Sequence, residues 1–97
     1  MFSREHILNL LRKAKTDLGR RYHVRSMALF GSYSRGEQTE KSDVDLLVDF
    51  DDGITFSKLI RFADNLEKRL GLPVDVIPAD GIKPHYRDFI QKDLVYV

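Results

Sequence analysis

The stretch that decides the fold runs from Leu29 to Val48 and reads LFGSYSRGEQTEKSDVDLLV. An apolar, strand-like segment ends at Gly31 and Ser32, a polar loop follows, and a second apolar segment begins with two aspartates that flank one valine. Residues two apart on a strand point to the same side, about 6.6 Å from each other. Asp43 and Asp45 are therefore expected to project together. Because adjacent carboxylates repel each other unless a cation lies between them, the pair predicts either a magnesium site or a solvated strand end.

Outward from this stretch, helical and strand patterns alternate along the chain. Ser3 is a plausible N-cap for a helix with apolar residues at helical spacing (Ile7, Leu11, Ala14, Leu18) that stops at Gly19. Strands are predicted at 23–30, 44–50 and 73–78. Thr55 begins a second helix, with Leu59, Ala63, Leu66 and Leu70 inward and Gly71 at its end, and a short helix follows Pro84 before an extended tail. This order predicts an α/β (α+β) fold, a small mixed β-sheet flanked by helices.

Composition limits the classes of function. Residues 1–97 fit one small domain, and a net charge of +1 predicts no direct binding of nucleic acid or of a membrane surface. No cysteine is present, which is compatible with a reducing compartment, and the charged N-terminus does not resemble a signal peptide. A cytoplasmic location is therefore expected.

A third carboxylate and an anion-binding turn complete the candidate site. Asp75 lies between two valines on the third strand, where it completes an acidic cluster if that strand neighbours the second one, or else protects a sheet edge. Three carboxylates from two strands can hold two metal ions. Gly31 allows close backbone approach, Ser32 adds a hydroxyl donor, and Arg35 offers a planar cation for phosphate.

Other polar residues favour ordinary surface roles. Asp49 lies an even number of residues from Asp43 and Asp45 and is therefore expected on the same face of the strand, so a secondary role stays open for it. Asp51 and Asp52 fit a solvated turn. The three histidines lack metal-ligand spacing, and Tyr33 is expected in an exposed loop.

The motif GSYSRGEQTEKSDVDLLV resembles the signature of the minimal nucleotidyltransferases, a branch of the DNA polymerase β-like superfamily. That signature is a strand, Gly-Ser, a loop with Arg-Gly, and Ser-Asp-x-Asp before an apolar strand. The matching positions are Gly31, Ser32, Arg35, Gly36, Ser42, Asp43 and Asp45, and Asp75 in PVDVI matches the third carboxylate. The closing segment from Ile82 is also similar, so the resemblance covers nearly the whole chain.

The resemblance implies a nucleotidyltransferase that uses ATP and Mg²⁺, with two ions expected. It gives Asp43, Asp45 and Asp75 metal-binding and catalytic roles, and it gives Gly31, Ser32, Arg35 and Ser42 a place in the nucleotide site; Ser42 is expected to fix the start of the strand. Proteins of this kind pair with a HEPN-domain ribonuclease toxin and transfer AMP to a toxin tyrosine. A cognate HEPN toxin is therefore the expected partner, in a homo- or hetero-oligomer.

Two other functions stay open at this point. The protein could neutralise its partner by binding alone, with apolar tail residues (Leu94, Val95, Val97) as contact surface. It could also transfer a nucleotide to a small molecule, as aminoglycoside nucleotidyltransferases do, although those enzymes generally have a further substrate-binding domain.

Overall fold

The computed structural model describes residues 2–97. Four helices are formed by Arg4–Tyr22 (α1), Ser32–Arg35 (α2), Phe56–Leu70 (α3) and Pro84–Gln91 (α4). Four strands are formed by Val24–Phe30 (β1), Val44–Phe50 (β2), Val74–Pro78 (β3) and Val95–Tyr96 (β4). The predicted mixed sheet flanked by helices is confirmed, and the polar loop after the Gly-Ser turn begins with the one-turn helix α2.

The sheet has the strand order β3-β2-β1-β4. β1 is antiparallel to β2 and to β4, whereas β2 and β3 are parallel and are joined through α3. A parallel pair needs such a crossover because its second strand has to start at the same edge of the sheet as the first. β3 is a short edge strand, in agreement with the prolines at positions 73 and 78, which favour an edge or a short element.

One face of the sheet packs against α1 and α3 to form the main core. Strand side chains alternate between faces, so Val44, Leu46, Val48 and Phe50 of β2 all point into this core. Apolar side chains of both helices complete it, including Leu11 and Phe62. Tyr22 and Phe50 both contact the Phe62 ring edge-on, at centroid distances of 5.2 Å.

The opposite face of the sheet is only partly covered. Ile90, the buried residue of α4, packs there with Phe30 of β1 and Leu47 of β2. Asp45 is also on this face, since it is two residues from Leu47 and is the register partner of Phe30. The fold therefore presents the Asp43–Asp45 segment on a face that α4 leaves partly open.

Two local predictions were wrong. α1 continues past Gly19 to Tyr22, because the extra turn buries the Tyr22 ring, and His23 is the left-handed C-cap rather than the first strand residue. On α3, Phe62 is buried and Ala63 is only partly so, because the aromatic ring fills the space above β2. The tail residues Leu94, Val95 and Val97 are partly buried against the protein's own clusters, because β4 joins the sheet, and their part in a contact surface stays a prediction.

Among the described residues, no helix has the length and apolar character needed to cross a membrane.

Candidate active site

Asp45 and Asp75 are direct neighbours in the sheet. The parallel register of β2 and β3 pairs Val44 with Val74 and Asp45 with Asp75. Neighbouring strands are about 4.8 Å apart, and paired residues point to the same face. Asp43, two residues before Asp45, is at the same end of β2. The structure therefore brings the three predicted carboxylates to one end of one sheet face.

The surroundings of Asp45 disfavour its negative charge in the protein alone. Burial, followed by the charges of Asp75 and Asp43, raises the pKa of Asp45 to about 6, and the positive charge of Arg35 opposes this rise. The charges of Asp75, Asp43 and Arg35 are therefore near enough to act on the Asp45 carboxyl group. A site with surplus negative charge of this kind favours a bound cation.

Gly31 lies directly against the Asp45 carboxylate. Its backbone dihedral angles, φ 78° and ψ −157°, belong to a region that is essentially restricted to glycine. A Cβ at Gly31 would lie 3.2 Å from Cγ of Asp45 and closer still to its Oδ2. The glycine that precedes α2 therefore allows the turn and the carboxylate to be in contact.

The helix α2 that follows Gly31 is fixed by side chains within and around it. Tyr33 is only 1% exposed and packs into the main core, so its prediction as an exposed loop residue was wrong. The Ser34 hydroxyl donates a hydrogen bond to the carbonyl oxygen of Asp93, and Arg4 Nε donates one to the carbonyl oxygen of Ser34 at 3.0 Å. Ser32 is the first residue of this helix and is partly exposed.

Arg35 lies at the end of α2 between two carboxylates. Its Nε donates to Glu37 at 2.6 Å and its Nη1 donates to Asp93 at 2.8 Å. Hydrogen bonds to Glu37 and then to Asp93 raise the pKa of Arg35 above its ordinary value. Sequence reasoning missed Asp93, because 58 residues separate it from Arg35 and no local pattern joins them.

Ser42 organises the loop before β2. Its hydroxyl accepts a hydrogen bond from the Thr39 backbone N–H at 2.9 Å, and its own N–H donates to the Thr39 carbonyl oxygen at 3.1 Å. This reciprocal turn fixes the chain one residue before Asp43, in agreement with the expected structural part of its role.

The donor chemistry at this end of the sheet fits magnesium. Mg²⁺ prefers carboxylate oxygens and keeps several positions for water and phosphate. Within residues 2–97, no three carboxylate or imidazole side chains are arranged to hold a metal ion as they stand. Mutual repulsion separates such groups when no cation is present, and the exposed side chains of Asp43 and Asp75 can change rotamer. The donor chemistry of Asp43, Asp45 and Asp75 thus suits magnesium.

The remaining polar candidates lie elsewhere. Asp49 is at the other end of β2 and forms an ion pair with Arg25 at 3.6 Å. It lines a polar cavity of about 460 Å³ together with Asp80, Arg87 and Tyr96. Each of the three histidines is exposed, as expected.

Comparison with known proteins gives the class. Residues 11–97 match the nucleotidyltransferase domain family. The chain is 48% identical over 94 residues to a candidate protein adenylyltransferase of Methanocaldococcus jannaschii, with 94% of each chain covered. It is 39% identical over 97 residues to the protein adenylyltransferase MntA of Thermococcus cleftensis, covering 100% of this chain and 98% of that one.

Solved structures agree with the sequence comparison. A structure described as a candidate minimal nucleotidyltransferase superposes with a TM-score of 0.81 at 34% identity, covering 97% of this chain and 95% of the other. A toxin–antitoxin crystal structure with AMP-PNP has a TM-score of 0.75 at 23% identity, covering 87% and 69%, which shows a shared fold. The chain therefore belongs to the nucleotidyltransferase domain family and has the fold of its minimal members.

Proposed function

We propose that this protein is an antitoxin that transfers AMP from ATP to a tyrosine hydroxyl of a cognate HEPN-domain toxin, with magnesium as its metal. The proposal rests on one observation above the others, the pairing of Asp45 with Asp75 beside Gly31 and Ser32. The names of the relatives support it, since two of them are called protein adenylyltransferases. A chain in the structure of a tri-AMPylated Shewanella oneidensis HEPN toxin in complex with an MNT antitoxin shares the fold, with a TM-score of 0.63 at 20% identity, covering 96% of this chain and 66% of that one.

In the proposed reaction, the tyrosine oxygen forms a bond to the α-phosphorus of ATP, and the bond from that phosphorus to pyrophosphate breaks. Asp75 accepts the hydroxyl proton, directly or through a water molecule. Gly31 and Ser32 bind the β- and γ-phosphates through backbone N–H and hydroxyl donors, and Arg35 compensates the charge of the leaving pyrophosphate.

Asp43 and Asp45 would hold two magnesium ions, with Asp75 completing the second site. When bound, these ions would compensate the phosphate charge and orient the α-phosphate. The residues of this chain would supply position rather than covalent chemistry, as is usual for phosphoryl transfer.

The openness of the site suits a macromolecular acceptor. Asp43 and Asp75 are exposed, and the cavity at the Asp49 end is lined by other residues. A protein surface that presents a tyrosine can reach such exposed side chains, whereas small-molecule sites are usually concave and bury most of their ligand. We further propose that residues 1–97 act as one catalytic domain in the cytoplasm.

The test is an incubation of the protein with radiolabelled ATP, MgCl₂ and the HEPN protein encoded beside it. We expect label and a matching mass increase on a toxin tyrosine, and no increase when that tyrosine is changed to phenylalanine. The Asp43→Ala/Asp45→Ala double variant should give no label. Omitting magnesium, with EDTA present, should have the same effect.

Toxin neutralisation is measured beside labelling to separate the alternatives. If the double aspartate variant still binds the toxin and neutralises it fully, occlusion is the function and AMP transfer is not. If wild-type protein labels an aminoglycoside or another small hydroxyl compound but not the toxin, the proposed acceptor is wrong.

A further inference from the structure

The side chain of Asp93 contacts the predicted phosphate-binding arginine from the far end of the chain. It lies just after α4 and is only 12% exposed, and its Oδ2 accepts the Arg35 Nη1 hydrogen bond at 2.8 Å. The other carboxylate on Arg35, Glu37, is 65% exposed and only two residues away. Asp93 therefore provides the shielded, long-range contact, while Glu37 moves with the same loop as Arg35.

Asp93 also contacts the residue before Arg35. Its carbonyl oxygen accepts the Ser34 hydroxyl hydrogen bond, so one residue fixes both Ser34 and Arg35. The helix between them has four residues, too few to be stable without tertiary contacts. The position of α2 thus depends on the segment that joins α4 to β4.

Arg35 keeps donors for a ligand in this arrangement. A guanidinium has five N–H groups. Glu37 and Asp93 occupy one each, at Nε and Nη1, which leaves three. The four-residue helix that ends at Arg35 begins directly after Gly31, which lies against the Asp45 carboxyl group, so Arg35 is one helical turn from the candidate site.

We infer that Asp93 is a positioning residue that holds the Arg35 guanidinium toward the β- and γ-phosphates of ATP. This inference rests on the nucleotide role of Arg35 in the proposed function, but it does not depend on the acceptor. Without the Asp93 carboxylate, Arg35 keeps only its exposed contact to Glu37. The position of the guanidinium then depends on the loop that carries Glu37, and it is no longer held toward the phosphates. Binding of the triphosphate is then weaker, while binding of AMP, which lacks the β- and γ-phosphates, is unaffected.

The experiment is isothermal titration of the intact protein with ATP and, separately, with AMP, both with MgCl₂ and without acceptor. For Asp93→Asn, which keeps the backbone carbonyl, we expect the Kd for ATP to rise about tenfold, as for the loss of a charge-assisted contact. The Kd for AMP should stay within about twofold. Glu37→Gln is the matched control, since exposed ion pairs contribute little, and it should leave both values within about twofold.

A double-mutant cycle decides whether Asp93 acts through Arg35. We expect Arg35→Ala to weaken ATP binding at least as much as Asp93→Asn, and the Arg35→Ala/Asp93→Asn variant to bind ATP no more weakly than Arg35→Ala alone. Circular dichroism and thermal unfolding confirm that each variant is folded. An unfolded Asp93→Asn is replaced by Asp93→Ser in the same cycle.

The inference is overturned if the two effects add, if ATP and AMP binding weaken equally, or if Asp93→Asn binds ATP more tightly because Asp93 competes with phosphate. If wild-type protein binds ATP and the Asp93 variants match it, only this inference fails. If wild-type protein does not bind ATP, both this inference and the proposed function fail.

Discussion

Asp45 and Asp49 lie on the same strand and the same face of the sheet, about 13 Å apart, but in opposite surroundings. Asp45 lies against Gly31 and near the charges of two further carboxylates, and Arg35, the cation that acts on it, donates its hydrogen bonds to Glu37 and Asp93. Asp49 is paired with Arg25, which also contacts Asp51. Arg25 thus forms an ion pair with Asp49, whereas the hydrogen bonds of Arg35 go to Glu37 and Asp93 rather than to Asp45. We propose that a bound metal ion compensates the charge at the Asp45 end.

The largest expected effect is a difference in AMP-transfer activity between variants of Asp45 and Asp49. Asp45→Asn should lower AMP transfer at least about 100-fold, because the site loses a ligand of the magnesium ions that would compensate the phosphate charge. Asp49→Asn makes the same chemical change on the same face and should keep transfer within about twofold, since it removes only an exposed ion pair. The measurement is the initial rate of toxin labelling. Equal losses of AMP transfer in the two variants would show that the Asp45 end of β2 has no special part in the reaction.

The next effect concerns Gly31, which contacts the Asp45 end. Gly31→Ala should lower the free energy of unfolding by about 3 kcal/mol, because a Cβ there combines a disfavoured backbone conformation with a contact to Asp45. Gly71→Ala is the matched control: Gly71 has φ 72° and nothing within 4 Å of its added Cβ, so a loss of about 1 kcal/mol is expected. Urea unfolding measures both, and a loss at Gly71 as large as that at Gly31 would contradict the close approach.

The smallest effect is the pH dependence of stability in metal-free protein. Burial, Asp75 and Asp43 raise the pKa of Asp45 from 3.8 to about 6. The protonated Asp45 therefore adds to the free energy of unfolding in full below pH 3.8, and this contribution is lost as the pH rises through 6. Asp45→Asn removes the ionised group and should therefore raise the melting temperature at pH 7.5 in EDTA, but not at pH 3.5.

Asp49→Asn is the control for this pH effect and should give no increase at pH 7.5, since it removes an ion pair. Thermal unfolding at both pH values, with EDTA in all samples, tests the difference. A lower melting temperature for Asp45→Asn at pH 7.5 would show that ionised Asp45 stabilises the metal-free fold.

The sequence predicted those parts of the fold that follow from local periodicity. The alternation from Val44 to Phe50 gave the bounds of β2, and the bracketing prolines predicted an edge position for β3. Gly19 was misleading because a glycine indicates a helix end only if burial does not favour another turn. Here the Tyr22 ring is buried in the core, and the helix therefore extends three residues beyond Gly19.

The candidate site was predictable to a similar degree. The spacing of Asp43 and Asp45 gave their common side, and the register of two parallel strands then placed Asp75 beside them. Tyr33 and Asp93 could not be read from the sequence, since a four-residue helix shows no periodicity and the Asp93–Arg35 contact spans 58 residues. Contacts of that kind depend on tertiary structure alone.

The central claim is that the Asp45 end of β2, and not the Asp49 end, binds the metal and the triphosphate. A crystal structure of the protein with MnCl₂ and AMP-PNP tests it most directly, because manganese is visible by anomalous scattering. We predict anomalous peaks with oxygens of Asp43, Asp45 and Asp75 about 2.1 Å away, close to the distance for magnesium, and the phosphates at Gly31 and Ser32. Metal and phosphates bound instead in the cavity beside Asp49 and Arg87, with the three carboxylates still apart, would contradict the account.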